Sequence, residues 1–157
     1  MLRRMGELLP SLTIEASWSE SYPKLVEDVA VWMEGGAAVV KVSLLVKLNR
    51  RVGGRVAAFA EVARQVPGGG WAFDPRQVSC NTTFFPPRSV SLIVLRQDLF
   101  PEVPNQPQTI QVTRGELFGN QLLPGRNAAD DVWGLSLARF RVLMRNAAVL
   151  QGLTPVI

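Results

Sequence analysis

The pattern that most constrains the fold lies in residues 11–48. Apolar and polar residues alternate from Leu12 to Ser17, which is the spacing of a strand with one buried face. Residues 23–34 place their apolar side chains on one broad helical face, and residues 39–48 alternate again. Because two strands joined by a helix at this spacing form a right-handed parallel crossover, the segment predicts a strand–helix–strand unit.

The helix of this unit has clear end signals. Ser19 and Ser21 offer hydroxyl caps, and Pro23 suits the first turn, where its missing N–H leaves no hydrogen bond unmade. Two consecutive glycines, Gly35 and Gly36, are typical of a helix end. These residues predict that the helix occupies 23–34.

The rest of the chain predicts further strands and a closing helix. Residues 55–66 favour a strand antiparallel to the preceding one, although their alanines leave a helix open. The other predicted elements are a turn at 49–54, strands at 89–95 and 109–113, a short helix or turn at 114–119, and a helix at 135–151. Loops or surface connections are predicted at 67–89, 100–107 and 120–131.

These elements fit one domain over residues 1–157, a length that can bury a real core. The predicted fold class is α/β. It has a mixed sheet with a parallel crossover at 11–48, antiparallel strands after it, and a C-terminal helix.

Composition removes several kinds of chemistry. The chain has no histidine and one cysteine, Cys80, which excludes an internal disulfide, the usual zinc and haem sites, and catalytic triads built on a histidine base. A metal ion would have to be a hard cation on carboxylates, such as magnesium or manganese. The formal charge of +4 permits a nucleic-acid partner without requiring one, since most domains of this size and charge simply have a solvated basic surface.

No segment has the pattern of a targeting or membrane sequence. The first ten residues lack the apolar run of a secretory signal, and no apolar stretch approaches the ~20 residues of a membrane span. We therefore expect an intracellular protein of the cytoplasm or nucleus, without a membrane partner.

The junction between the first strand and the helix is the most functional-looking segment. Glu15 and Ser17 share the polar face of the strand, and sheets of this kind bind ligands beyond the carboxyl ends of their strands. The helix terminus also offers unpaired amides to an anion. A purely structural interpretation stays open: Ser19 or Ser21 caps the helix, and Glu15 is solvated or pairs with Lys41 across the sheet.

Several segments resemble known proteins. The run at 10–25 (PSLTIEASWSESYPKL), the strand at 39–47 (VVKVSLLVK), and the later segments TRGELFG at 113–119 and Pro-Gly at 124–125 are similar to a group of uncharacterised fungal proteins. That group in turn resembles the restriction-endonuclease-like superfamily, of the PD-(D/E)XK type and closest to its Uma2-like branch. The resemblance extends from about residue 10 to about residue 150.

The resemblance implies a metal-dependent nuclease site. In that superfamily an Asp and a Glu hold divalent metal ions, and a lysine orients or activates the attacking water. Glu15 matches the Glu, whereas Ser17 stands where the lysine is expected. Lys24 on the following helix is the nearest replacement, and Lys41 is a second one.

The chain does not contain the full set of metal ligands that the resemblance implies. No Asp-bearing strand precedes Glu15, so the chain looks like an N-terminally shortened relative. Glu7 and Glu20 are the candidates for additional ligands beside Glu15. A lone carboxylate binds magnesium weakly, because the ion keeps most of its waters and needs further anionic ligands.

A second set of candidates concerns nucleic-acid binding. Lys41, Lys47, Arg50 and Arg51 follow one strand and its turn, and they could track a phosphate backbone. The tryptophans could stack bases, but Trp32 lies on the apolar helix face and is expected in the core. The structural alternative for the four cations is a solvated strand face and loop.

The function expected from these observations is a divergent, catalytically inactive nuclease-like domain that binds nucleic acid, with DNA as the expected partner, or a protein partner. The first alternative is an active magnesium- or manganese-dependent DNA nuclease that uses Glu15 and a displaced lysine. The second is a protein-interaction module without a nucleic-acid role. A shortened N-terminus would leave a sheet edge or an apolar face uncovered, so a homodimer or a covering protein partner is also expected.

Overall fold

The computed structural model describes residues 2–3, 9–36, 39–73, 97–102, 109–119, 125–129 and 131–156. Glu7, Cys80 and the strand predicted at 89–95 lie outside these residues.

The fold is α/β with a mixed sheet and a C-terminal helix, as the sequence predicts. The helices and strands in chain order are β1 (Leu2–Arg3), β2 (Pro10–Ser17), α1 (Tyr22–Gly35), β3 (Val42–Arg51), β4 (Arg55–Gln65), β5 (Trp71–Phe73), β6 (Gln97–Phe100), β7 (Thr109–Thr113), α2 (Arg114–Phe118), β8 (Asp131–Ser136), α3 (Leu137–Leu150) and β9 (Thr154–Pro155). A 3₁₀ turn at Val52–Gly54 joins β3 to β4.

The main sheet has the order β1-β2-β3-β4-β5, and β6 and β9 also pair with β4. Strands β2 and β3 are parallel and joined through α1, so the predicted crossover is confirmed. Strand β4 is antiparallel to β3 along its whole length, which decides the open question about residues 55–66 in favour of a strand. The short β1 pairs with the outer edge of β2 at Leu12 and Pro10.

Helix α1 has the ends that its sequence predicts. The Ser21 side chain accepts the Lys24 N–H, and Pro23 lies in the first turn. At the other end the Gly36 N–H donates to the Trp32 carbonyl over 2.9 Å. A Cβ at Gly36 would collide with Val40, so the close packing after the helix requires a glycine there.

The two faces of the sheet carry separate apolar clusters. Helix α1 packs on the face that presents Leu45 and Phe59, through buried Leu25, Val29 and Met33. The alternate residues of β3 and β4 face α3 and the small β7–β8 sheet, where Leu137 and Ala148 are buried. The alternation that predicts the strands therefore also assigns side chains to the two clusters.

A buried ion pair ties α2 to the sheet. Arg64 of β4 pairs with Glu116, and its guanidinium also donates to the Gln111 carbonyl over 2.5 Å. Glu116 closes a capping box with Thr113, because its carboxylate accepts the Thr113 N–H while the Thr113 hydroxyl accepts the Glu116 N–H. A short helix of five residues is thus held by one carboxylate with two structural roles.

Some predicted boundaries are wrong. Strand β8 covers Asp131–Ser136, where the sequence predicts the end of a loop and the start of the last helix, because this segment pairs with β7. Residues 49–51 continue β3 instead of starting a turn, since they pair in register with residues 55–57. Phe100 is buried at the end of β6, although the sequence predicts a surface connection from that residue.

In the part of the chain that the structure describes, no helix is both long enough and apolar enough to cross a membrane.

Candidate functional site

A pocket of about 490 Å³ opens beside the carboxyl ends of the parallel strands β2 and β3. Such ends are where sheets joined by crossover helices usually bind ligands. We call this pocket the basic cleft. Its lining residues are Trp18, Ser19, Glu20, Ser21, Tyr22, Lys47, Asn49, Arg50, Arg51 and Phe59.

The turn between β2 and α1 forms one wall of the basic cleft. Ser17 ends β2, and its hydroxyl accepts the Glu20 N–H over 3.0 Å, which folds residues 18–20 back toward the sheet. Ser21 then caps α1. The positive end of the α1 dipole consequently lies at the cleft.

Lys47 is the buried cation of the basic cleft. It pairs in register with Ser17 on one side and Phe59 on the other, and only 6% of its surface is exposed. Its ammonium donates to two backbone carbonyls, those of Trp18 at 3.3 Å and Leu48 at 3.2 Å. Among the described residues, no carboxylate lies within ion-pair distance of it.

Burial changes the pKa of Lys47. Desolvation lowers the pKa of Lys47, because the charged ammonium loses water, and the nearby Glu20 carboxylate offsets part of that effect. Glu20 is exposed at the rim and makes no ion pair with Lys47. Lys47 therefore carries a partly desolvated charge without a counterion from the described chain.

Arg50 and Arg51 bring two further cations to the cleft. Both are exposed at the end of β3, just before the 3₁₀ turn. With Lys47 they give the lining three cations against the single carboxylate of Glu20. The cleft therefore favours an anionic ligand electrostatically.

A buried carboxylate supports the floor of the cleft, and the sequence interpretation missed it. Glu61 of β4 is only 2% exposed, and it accepts a hydrogen bond from the Tyr22 hydroxyl over 2.8 Å. The Tyr22 ring is tilted against Phe59, with 6.0 Å between ring centroids. The signal was available, because strand alternation puts Glu61 on the same face as Phe59.

Glu15 lies away from this lining. Its Oε1 accepts the indole N–H of Trp32 over 2.5 Å, so the carboxylate is held beneath α1. Opposite it on β3 is Leu45 instead of Lys41, so the pairing of Glu15 with Lys41 across the sheet is not formed. Trp32 is half-buried and packs beside the α1 cluster, as its helix position predicts.

The two candidate replacement lysines are also separated from Glu15. Lys24 is 53% exposed and pairs with Asp28 at 2.8 Å and Glu27 at 3.7 Å on the surface of α1. The hydrogen bond to Asp28 raises the pKa of Lys24. It stands eight residues before Trp32, or about 12 Å along the helix axis. Lys41 precedes β3, and its N–H donates to the Ser11 carbonyl, four residues or about 13 Å along β2 from Glu15. It is also six residues, or about 20 Å along the strand, from Lys47.

The structure thus divides the candidates into groups. It brings Lys47, Arg50, Arg51 and Glu20 together at the basic cleft, while Glu15, Lys24 and Lys41 each lie elsewhere. Within the described residues, no cluster of three or more acidic or cysteine side chains is placed to hold a metal ion. The metal ligand set of Glu15, Glu20 and Glu7 stays a prediction.

Comparisons of the chain with protein-family models, with curated proteins and with solved structures find no match. The restriction-endonuclease-like assignment therefore also stays a prediction.

Proposed function

We propose that this domain binds a nucleic-acid strand, such as single-stranded DNA, at the basic cleft and does not hydrolyse it. The observation that carries the proposal is the convergence of Lys47, Arg50 and Arg51 on one pocket at the carboxyl ends of β2 and β3. Three cations around one opening suit a chain of phosphates, since each neutralised phosphate releases counterions.

The aromatic residues of the cleft favour a strand with accessible bases. Trp18 and Tyr22 both line the opening, and both are half-buried. Proteins that bind single strands combine a cationic groove with aromatic side chains on which bases stack. Trp18 and Tyr22 would take that role, while Arg50 and Arg51 contact the backbone.

A non-catalytic role is favoured by the position of Glu15. In the family that the sequence resembles, this residue would hold the metal ion, yet here its carboxylate accepts the Trp32 indole N–H and does not line the cleft. Ser17, at the expected lysine position, accepts the Glu20 N–H instead. Magnesium or manganese would be the metal ion if the site proved active.

The first experiment compares binding of a fluorescent single-stranded oligonucleotide by wild type and by the double variant Arg50→Ala/Arg51→Ala. Losing two phosphate contacts should weaken binding about tenfold or more at low salt. The matched control is Arg139→Ala/Arg145→Ala, which removes the same charge from exposed positions on α3, on the other face of the sheet. Equal loss in both double variants would mean that net charge, and not the cleft, causes binding.

The second experiment tests hydrolysis. Plasmid and single-stranded DNA are incubated with magnesium or manganese, with wild type and with Glu15→Ala in parallel. The proposal expects the same background in both samples. Cleavage by wild type that Glu15→Ala abolishes would overturn the non-catalytic part and favour a nuclease.

A further inference from the structure

We propose that Lys47 binds a terminal phosphate, so that the basic cleft prefers a nucleic-acid strand with a phosphorylated end. This inference rests on the proposed function and names the part of the strand that enters the cleft.

The first argument is the hydrogen-bond donor that Lys47 can offer to the cleft. An ammonium has three N–H donors, and Lys47 uses two of them on the carbonyls of Trp18 and Leu48. Among the described residues, the third donor has no acceptor. Lys47 lines the cleft, so an anion bound there could accept this remaining donor, although only 6% of the residue's surface is exposed.

The second argument is the missing counterion. Burial lowers the pKa of Lys47, and no carboxylate of the described chain pairs with it directly. An anion bound against Lys47 would stabilise the charged form and reverse that effect. The α1 N-terminus adds a positive dipole at the same opening, although Ser21 already occupies the Lys24 N–H.

The third argument concerns charge. A phosphodiester inside a strand carries one negative charge, whereas a terminal monoester carries about two near neutral pH and has three strong acceptor oxygens. The lining offers three cations, and Glu20 opposes them with one carboxylate. The dianion matches this surplus better than an internal phosphodiester, and it offers Lys47 a more strongly charged acceptor.

The test measures the affinity of one oligonucleotide sequence with a 5′-phosphate, with a 3′-phosphate and with neither. Wild type should bind at least one phosphorylated form about tenfold more tightly than the unphosphorylated strand, the value of one charge-assisted hydrogen bond. In Lys47→Met, which keeps the length of the side chain and removes the ammonium, the ratio should fall to about one. Arg139→Ala is the control and should keep the wild-type ratio.

Each result has a distinct meaning. Equal affinity of wild type for all three strands overturns the terminal-phosphate inference and leaves the proposed function standing. If folded Lys47→Met keeps the preference for a phosphorylated end, the phosphate binds elsewhere, and the terminal-phosphate inference is also overturned. Binding of none of the strands overturns both proposals. Should Lys47→Met fail to fold, Lys47→Gln takes its place in the same comparison of the three strands.

A competition arm separates the source of the phosphate. Inorganic phosphate and a mononucleotide are each added to the complex of wild type with the preferred strand. Either competitor should displace the strand only at concentrations far above the dissociation constant of the oligonucleotide, because the arginines and aromatic rings also hold the adjoining nucleotides. If inorganic phosphate displaced the strand at concentrations near the strand's own dissociation constant, the cleft would be a site for the free anion, and recognition of a strand end would be contradicted.

Discussion

In the described part of the chain, two regions bury a cation in the main sheet, and only one of them pairs it with a carboxylate. On the α2 side, Arg64 is almost fully buried against Glu116 and also donates to the Gln111 carbonyl. On the α1 side, Lys47 is equally buried and borders an open pocket, and among the described residues its ammonium donates only to carbonyl oxygens. The first charge is neutralised inside the fold, whereas the second is left available to a ligand.

The difference separates a structural cation from a binding cation on physical grounds. Removing one partner of a buried ion pair leaves an uncompensated charge, so such a pair is sensitive to mutation. A buried cation without a carboxylate partner already carries its desolvation cost in the free protein. Arg141 is buried too, but its partner Glu102 at 3.1 Å is 61% exposed, so solvent can replace that carboxylate when it is lost.

The largest expected effect is on the structural pair. Glu116→Ala should lower the free energy of unfolding by about 3 kcal/mol, because Arg64 loses its buried partner and α2 loses its capping box. Urea unfolding followed by circular dichroism measures the change. Glu102→Ala is the matched control, since the Glu102 side chain is 61% exposed and its loss should cost much less.

An equal cost for these two glutamate variants would break the distinction between buried and exposed partners. It would mean that the Arg64–Glu116 contact contributes no more than a surface pair.

The middle effect concerns Glu20, the only carboxylate among the described residues that line the cleft. Glu20→Gln should tighten oligonucleotide binding about two- to threefold at low salt, because it removes the negative charge that opposes Lys47, Arg50 and Arg51. Fluorescence anisotropy measures the change, with Glu27→Gln on the exposed face of α1 as the control. Weaker, magnesium-dependent binding in Glu20→Gln would instead assign Glu20 to a metal site.

The smallest expected effect is the stability change in Lys47→Met. Replacing a buried, unpaired ammonium with an apolar side chain of similar length should leave the free energy of unfolding at pH 7 within about 1 kcal/mol of wild type, or raise it. Since the folded-state pKa is lowered, the unfolded chain binds the proton more tightly. Wild type should therefore gain stability relative to Lys47→Met as the pH rises toward the ordinary lysine value of 10.5.

A loss of several kcal/mol in Lys47→Met would contradict this comparison. It would place Lys47 with Arg64 among the structural cations.

Much of the fold follows from local patterns in the sequence. Alternation predicts β2, β3 and β7, and hydroxyl, proline and glycine signals predict the ends of α1. Strand β8 was missed because its six residues join directly to α3 and find their partner only in β7, a tertiary effect. For the same reason the extension of β3 through Arg51 required the register with β4.

The candidate site was predictable only in part. Lys47, Arg50 and Arg51 follow one strand, so their convergence could be inferred from sequence. The same pattern includes Lys41, which the structure places at the other end of β3. The contact of Glu15 with Trp32 and the position of Glu61 under Tyr22 depend on how α1 lies across the sheet, which local patterns do not specify.

The salt dependence of oligonucleotide binding tests the central claim most directly. For single strands, each phosphate contact lowers the logarithm of the binding constant by about 0.7 for every tenfold rise in salt concentration. For wild type we expect the logarithm of the binding constant, plotted against the logarithm of the salt concentration, to have a slope of about −2 or steeper. The slope for Arg50→Ala/Arg51→Ala should be about 1.4 units shallower than that for the α3 control Arg139→Ala/Arg145→Ala. Binding that does not change with salt, or equal slopes in the two double variants, would contradict a phosphate-binding cleft at the ends of β2 and β3.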